Sequence, residues 1–221
     1  MYTFKDNSMI SFDSLDEFNR FYSDFDFYSE WRITTAQNNV RGAIIRDKSY
    51  VNRIREMFAE KKLFRRNISI AEIVSILDSY SVMLRAFKEL KQLCKQSEWN
   101  NIRLHSEYKI YFSKNRRIDF IIEYGARILL VEFRVSNIFP NVSTIWQKKE
   151  SELLVYKELL RNYLPEPYRI HLYAFIAMSE YDKRQAIPKH IKYNKDNAKF
   201  FAEYVYEFII NRDSDWYCLN N

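Results

Sequence analysis

Hydrophobic positions recur every three or four residues through most of the chain, and the spacing changes in the middle, so the pattern predicts helices around a sheet. The first hundred residues read as mainly helical. Ser14 stands at the N-cap and Glu17 at the capping-box position of a first helix, and Phe18, Phe21, Tyr22 and Phe25 supply its apolar stripe. A second helix is expected from Lys48 to Leu63, with Val51, Ile54, Met57 and Phe58 inward. The third and longest runs from Ile70 to Gln96, with Ile73, Ile76, Leu77, Tyr80, Leu84, Phe87, Leu90 and Leu93 on one face. From His105 to Val135 the chain reads as three short strands joined by two tight turns. Gly125 lies in the second turn, where a hairpin wants positive φ. Helical spacing returns between Thr144 and Leu164 through Leu153, Tyr156, Leu160 and Tyr163, after a loop with Pro140. Arg169 to Met178 is an apolar run suited to a buried strand, and Asp196 to Asn211 presents Phe200, Phe201, Tyr204, Phe208 and Ile209 as a last helix. The expected organisation is a helical region over 1–100 packed on an α/β core over 101–221. The weakest connections fall at Ala36 to Asp47 and around Lys183 to Lys195.

Three acids interrupt the strand region: Glu107 in the first strand, Asp119 in the second and Glu132 in the third. Side chains alternate across a strand, so Glu132 and Arg134 share a face while Val131, Phe133 and Val135 form the apolar one. Burying charge costs several kcal/mol unless it is paired or bound to metal. Either these residues form a partly buried ion pair that fixes register, or they build a site.

An acid, an Asp on the next strand and Glu-x-Lys on a third resemble the PD-(D/E)XK nuclease superfamily. The resemblance matches Asp119 and Glu132 to the two metal-holding acids and Glu107 to an auxiliary acid upstream. Ile118 stands where the nominal Pro would be, and Arg134 where the family usually has Lys. Gln147 and Tyr156 look like the Gln and Tyr that many members carry on the following helix. With Arg169 to Met178 the order is β-β-β-α-β, which implies a restriction-endonuclease-like core with a central mixed sheet over roughly residues 100 to 180.

What the resemblance implies is a metal-dependent nuclease, an endonuclease acting on DNA. Asp119, Glu132 and the Phe133 carbonyl would hold Mg²⁺ or Mn²⁺, hard cations that prefer oxygen ligands. Glu107, Arg134 and Gln147 complete the implied catalytic set. Arg134 would act as a fixed cation at the transition state and not as a base, since guanidinium stays protonated. Lys109 and Lys148 are candidates to replace the missing Lys. The alternatives are a nuclease-fold protein that has lost catalysis and binds nucleic acid or a protein partner, and a different enzyme or regulator on an unrelated α/β scaffold.

Charge and composition narrow this further. The 35 Lys and Arg against 29 Asp and Glu leave +6, compatible with a polyanionic partner. Lys114, Arg116 and Arg117 lead directly into Asp119. Lys148 and Lys149 lie in the helix after the third strand, so these five are the expected phosphate contacts. Other basic pairs, at Lys61-Lys62, Arg65-Arg66 and Lys183-Arg184, read as solvated turns. Two glycines exclude a Gly-rich nucleotide loop. Cys94 and Cys218, without metal spacing, read as reduced thiols. No apolar run approaches the ~20 residues a membrane span needs, and the acidic, polar N-terminus is unlike a signal peptide. The expectation is a soluble cytoplasmic protein with no membrane partner. A homodimer is expected by analogy with family members that cut one strand per subunit. His105, His171 and His190 show no ligand spacing, and His171 reads as a core histidine.

Overall fold

A computed structural model describes residues 4–6, 8, 10–23, 56, 70–110, 116–136, 142–164, 168–178 and 197–211. The Lys48–Leu63 helix, Lys114, Phe25, Pro140, His190 and Cys218 therefore lie outside the described residues, apart from Glu56, which is helical.

The elements in chain order are a short 3-10 turn (Phe4–Asp6), β1 (Ile10–Phe12), α1 (Leu15–Ser23), α2 (Ile70–Leu93), α3 (Gln96–Trp99), β2 (Ile102–Lys109), β3 (Arg117–Tyr124), β4 (Arg127–Ser136), α4 (Val142–Arg161), β5 (Arg169–Met178) and α5 (Asn197–Ile210). The five strands form one mixed sheet in the order β1-β2-β3-β4-β5. The first three pairings are antiparallel, and β4 runs parallel to β5 through the α4 crossover. Helices cover both faces of the sheet.

One face packs against α1, α2 and α5. There Phe18, Tyr80, Phe87, Leu90, Phe201 and Val205 meet Leu104, Phe120, Ile122, Leu129, Val131 and Phe133. Buried Tyr80 also donates its hydroxyl to Ser106 Oγ at 2.7 Å, fixing α2 over β2. The other face packs against α4, where Leu153, Tyr156 and Leu160 meet Ile121, Ile128 and Leu130, with Phe4 closing one end. The predicted stripe on α4 holds except at Tyr163, which falls in the turn beyond the helix and is exposed. Phe200 and Leu93 are likewise exposed, each near a helix end. His171 is buried against the Phe208 ring, as a core histidine would be.

Local chemistry sets several boundaries. Ser14 Oγ accepts the Glu17 N–H at 3.2 Å, as an N-cap does. Glu17 reaches back one residue further than a capping box requires, to the Asp13 N–H at 2.8 Å. The long helix ends at Leu93 and the chain re-enters a short helix at Gln96, where the Lys95 N–H is held by Glu98 at 2.8 Å. Gly125 has φ +61 and, with Ala126, turns β3 into β4 as the hairpin spacing predicts. Arg127, just past that turn, gives its guanidinium to the carbonyls of Phe208, Ile209 and Asn211 and so anchors the end of α5 on the sheet.

β1 has no counterpart in the helical reading of the first hundred residues. Three residues are too few to show strand alternation. They are held because Ser11 pairs with His105, whose ring lies 2.8 Å from Ser11 Oγ on one side and 3.2 Å from Glu123 on the other.

Candidate functional site

The β3–β4 ladder pairs Tyr124 with Arg127 and continues to Phe120 opposite Val131, where it stops. The next two residues in register are Asp119 and Glu132, and here side chains take over from backbone. The Asp119 carboxylate accepts the Phe133 N–H at 2.7 Å, and the Asp119 N–H points to Glu132 Oε1 at 3.4 Å. The strands part at this point and each acid satisfies backbone of the other strand. The resulting carboxylates face α4, because Glu132 alternates with Leu130 and Ile128 on that side.

On β2 the same level is marked by Glu107, which has φ +52, a left-handed conformation that costs a non-glycine residue roughly 1 kcal/mol or more. Pairing with β3 steps over it: Ser106 meets Phe120 and Tyr108 meets Ile118. Beyond this step both strands change faces. Leu104 and Phe120 pack toward α2, yet Tyr108 and Ile118, an even number of residues away, pack toward α4. The Glu107 carboxylate meets Arg117 at 3.3 Å, and its charge acts on Tyr80, on the α2 side.

The cation at the acid pair comes from the helix. Lys149 Nζ lies 2.5 Å from Glu132 Oε2 and 2.9 Å from Glu152 Oε2. Glu132 is almost wholly buried, with 1 % of its surface exposed, and Asp119 is half-buried. Burial pushes the Asp119 carboxyl above its usual range against the opposing pull of Lys149. Glu132 is raised to about 8, by burial first and the neighbouring Asp119 charge second. Burial works against the Lys149 charge too, but the Glu132 and Asp119 carboxylates outweigh it and hold the ammonium above the usual lysine range. The Tyr156 hydroxyl is raised to about 12 by burial and by Glu132, which places it beside the same acids.

Of the sequence-predicted residues, then, the structure brings together Asp119, Glu132, the Phe133 backbone and Tyr156. It adds Lys149, expected only as a phosphate contact, and Glu152, not expected at all. Gln147 is exposed, two positions before Lys149 and so on another side of the helix. Arg134, Lys109 and Lys148 are exposed, and none of them replaces the motif lysine by touching the pair. Glu107 is turned toward Arg117. Among the described residues no three or more His, Cys, Asp or Glu side chains group closely enough to hold a metal ion. A signal for Lys149 was present in the sequence. The buried stripe Leu160, Tyr156, Leu153 continued one turn back arrives at Lys149, not at Gln147 or Lys148.

Among the described residues no helix is long and apolar enough to cross a membrane. Comparison with known proteins matches no family model, no curated protein and no solved structure.

Proposed function

We propose that this protein is a metal-dependent nuclease that hydrolyses phosphodiester bonds of DNA, on a restriction-endonuclease-like core of the PD-(D/E)XK kind. The observation that carries the reading is the convergence of Asp119 and Glu132 where β3 and β4 part, with Lys149 of the following helix against them. An ion pair that merely fixed register would not need two strands to give up their ladder at a pair of acids, one fully buried and one half-buried.

The donor set fits Mg²⁺ or Mn²⁺. Both acids offer hard oxygen, and the Phe133 carbonyl adds a third: a strand residue's N–H and C=O point the same way, and this N–H points at Asp119. A divalent metal held there would supply an activated water and relieve charge on the phosphoryl oxygens. Asp119 and Glu132 bind and orient it from a rigid floor. Lys149 provides the cation that the motif normally carries two residues after the Glu, reaching the site from α4. Arg116, Arg134 and Lys148, all exposed and within three residues of Asp119, Glu132 or Lys149, take the flanking phosphates. One acid pair per chain cuts one strand, so duplex cleavage would take two copies.

A second reading, a nuclease-fold protein that binds without cutting, is favoured by one observation. Glu107 is turned away, and Lys149 already neutralises one of the two remaining acids. The deciding experiment is cleavage of plasmid and single-stranded DNA in Mg²⁺ or Mn²⁺ by wild type, Asp119→Ala and Arg134→Lys. The nuclease reading expects wild type and Arg134→Lys to cut, and Asp119→Ala to lose at least ~10²-fold in rate. Inert wild type with salt-sensitive, Mg²⁺-indifferent DNA binding would leave the second reading. Cleavage undiminished in Asp119→Ala would sink the site assignment.

A further inference from the structure

Lys149 stands between two carboxylates of unlike character. Glu132 is buried on the sheet, whereas the Glu152 side chain, three residues along the same helix, is about a third exposed at 32 %. The ammonium bonds both, and the Asp119 charge acts on it as well. One positive charge thus serves three carboxylates, two of which are the oxygen donors of the proposed metal site. An ammonium and a divalent cation compete for Glu132, because like charges repel strongly beside a carboxylate taken out of water.

We infer that Lys149 is a tethered counter-ion for the acid pair and that Glu152 is its second seat, so that Lys149 holds Glu132 in the metal-free protein and withdraws to Glu152 when a divalent cation takes its place. The inference rests on the reading of Asp119 and Glu132 as metal ligands. The move is small: the bond to Glu152 is already made, and the side chain has only to release Glu132 and swing about its terminal torsions. Without Glu152 the displaced ammonium would have no second ion-pair partner among the described residues, and Lys149 would hold Glu132 more tightly against a competing ion. Glu152 is therefore a positioning residue. It keeps the cation beside the site, where a phosphate can meet it, without leaving it on a metal ligand.

The test is Mn²⁺ binding to the full chain without DNA, followed calorimetrically for wild type, Asp119→Asn, Lys149→Met, Glu152→Gln and the Lys149→Met/Glu152→Gln double variant. Lys149→Met should bind Mn²⁺ at least tenfold more tightly, and Glu152→Gln several-fold more weakly. In the Lys149→Met background the Glu152 substitution should lose most of its effect, since it acts through the lysine. An equal loss in both backgrounds would mean that Glu152 acts on the ion directly and would overturn the exchange. Unchanged or weaker binding in Lys149→Met, with binding abolished in Asp119→Asn, would also overturn it and leave the metal site standing. Binding by Lys149→Met alone would support it, while no binding by wild type or Lys149→Met would remove the metal reading as well. Should Lys149→Met fail to fold, Glu152→Gln decides, its partly exposed side chain being dispensable for packing: unchanged or tighter affinity there overturns the inference.

Discussion

Glu132 places an ionisable group where water does not reach, and its carboxyl is raised from the usual 4.5 to about 8, by burial ahead of the Asp119 charge. A raised acid holds its proton more tightly in the folded chain than in the unfolded one. Between about 4.5 and about 8 the native state therefore binds more protons, and stability falls as pH rises. Glu132→Gln keeps the shape and removes the titration. Urea denaturation at pH 5 and pH 8 should show wild type losing roughly 1–3 kcal/mol over that interval, since each tenfold gain in proton affinity on folding is worth about 1.4 kcal/mol. The variant should lose clearly less, with a residual slope from Asp119, which is raised in the same direction. Equal slopes in the two proteins would mean that Lys149 keeps Glu132 ionised throughout. That an acid lay buried here was legible from Glu132 among Val131, Phe133 and Leu130. Its partner Lys149 was legible only from the helix, as the continuation of the Leu160, Tyr156, Leu153 stripe; the strand pointed to Arg134, the nearer cation in sequence, because alternation fixes only a face, not a reach.

Among the elements, the paired irregularity of β2 and β3 governs where the site opens. Regular strands would have carried Glu107 onto the face of Asp119. The left-handed Glu107, at φ +52, instead hands Tyr108 and Ile118 to the α4 side and its own carboxylate to Arg117. Nothing in HSEYKIYF announces this, since glutamate is not a residue that favours positive φ, whereas Gly125 in EYGA announced its turn plainly. The strain gives a prediction. Glu107→Gly should be near neutral or slightly stabilising, because relief of the backbone offsets the loss of an ion pair worth about 1 kcal/mol, its Arg117 partner being partly exposed. Glu107→Val, β-branched at positive φ, should cost about 2 kcal/mol or restore the regular ladder. Thermal and urea unfolding of the two variants would show the gap. If Val is tolerated as well as Gly, the kink is dictated by the neighbouring strands and not by residue 107.

In the whole molecule, an α/β fold with long helices flanking a run of strands was readable from the sequence, because α2, α4 and β5 are long enough to show their pattern, whereas the placing of helices on both faces of the sheet was not. The three-residue β1 was not, nor the way Arg127 clasps the end of α5 from the sheet. Three exposed cations on separate elements lie within three residues of Asp119, Glu132 or Lys149 in sequence, and under the proposed function they would meet the phosphates: Arg116 ahead of β3, Arg134 late in β4 and Lys148 on α4. A net charge of +6 is too mild to attract nucleic acid by itself, so under the proposed function binding should depend on these positions specifically. If each neutralises one phosphate of duplex DNA, log K should fall with log salt by about 0.9 per contact. Arg134→Ala with Lys148→Ala should then flatten the slope by about 1.8 and weaken binding on every sequence alike. Substituting Lys61 and Lys62, far from the acids in sequence, should leave the slope unchanged. An unaltered slope in the Arg134/Lys148 variant would mean that nucleic acid, if bound, approaches another face.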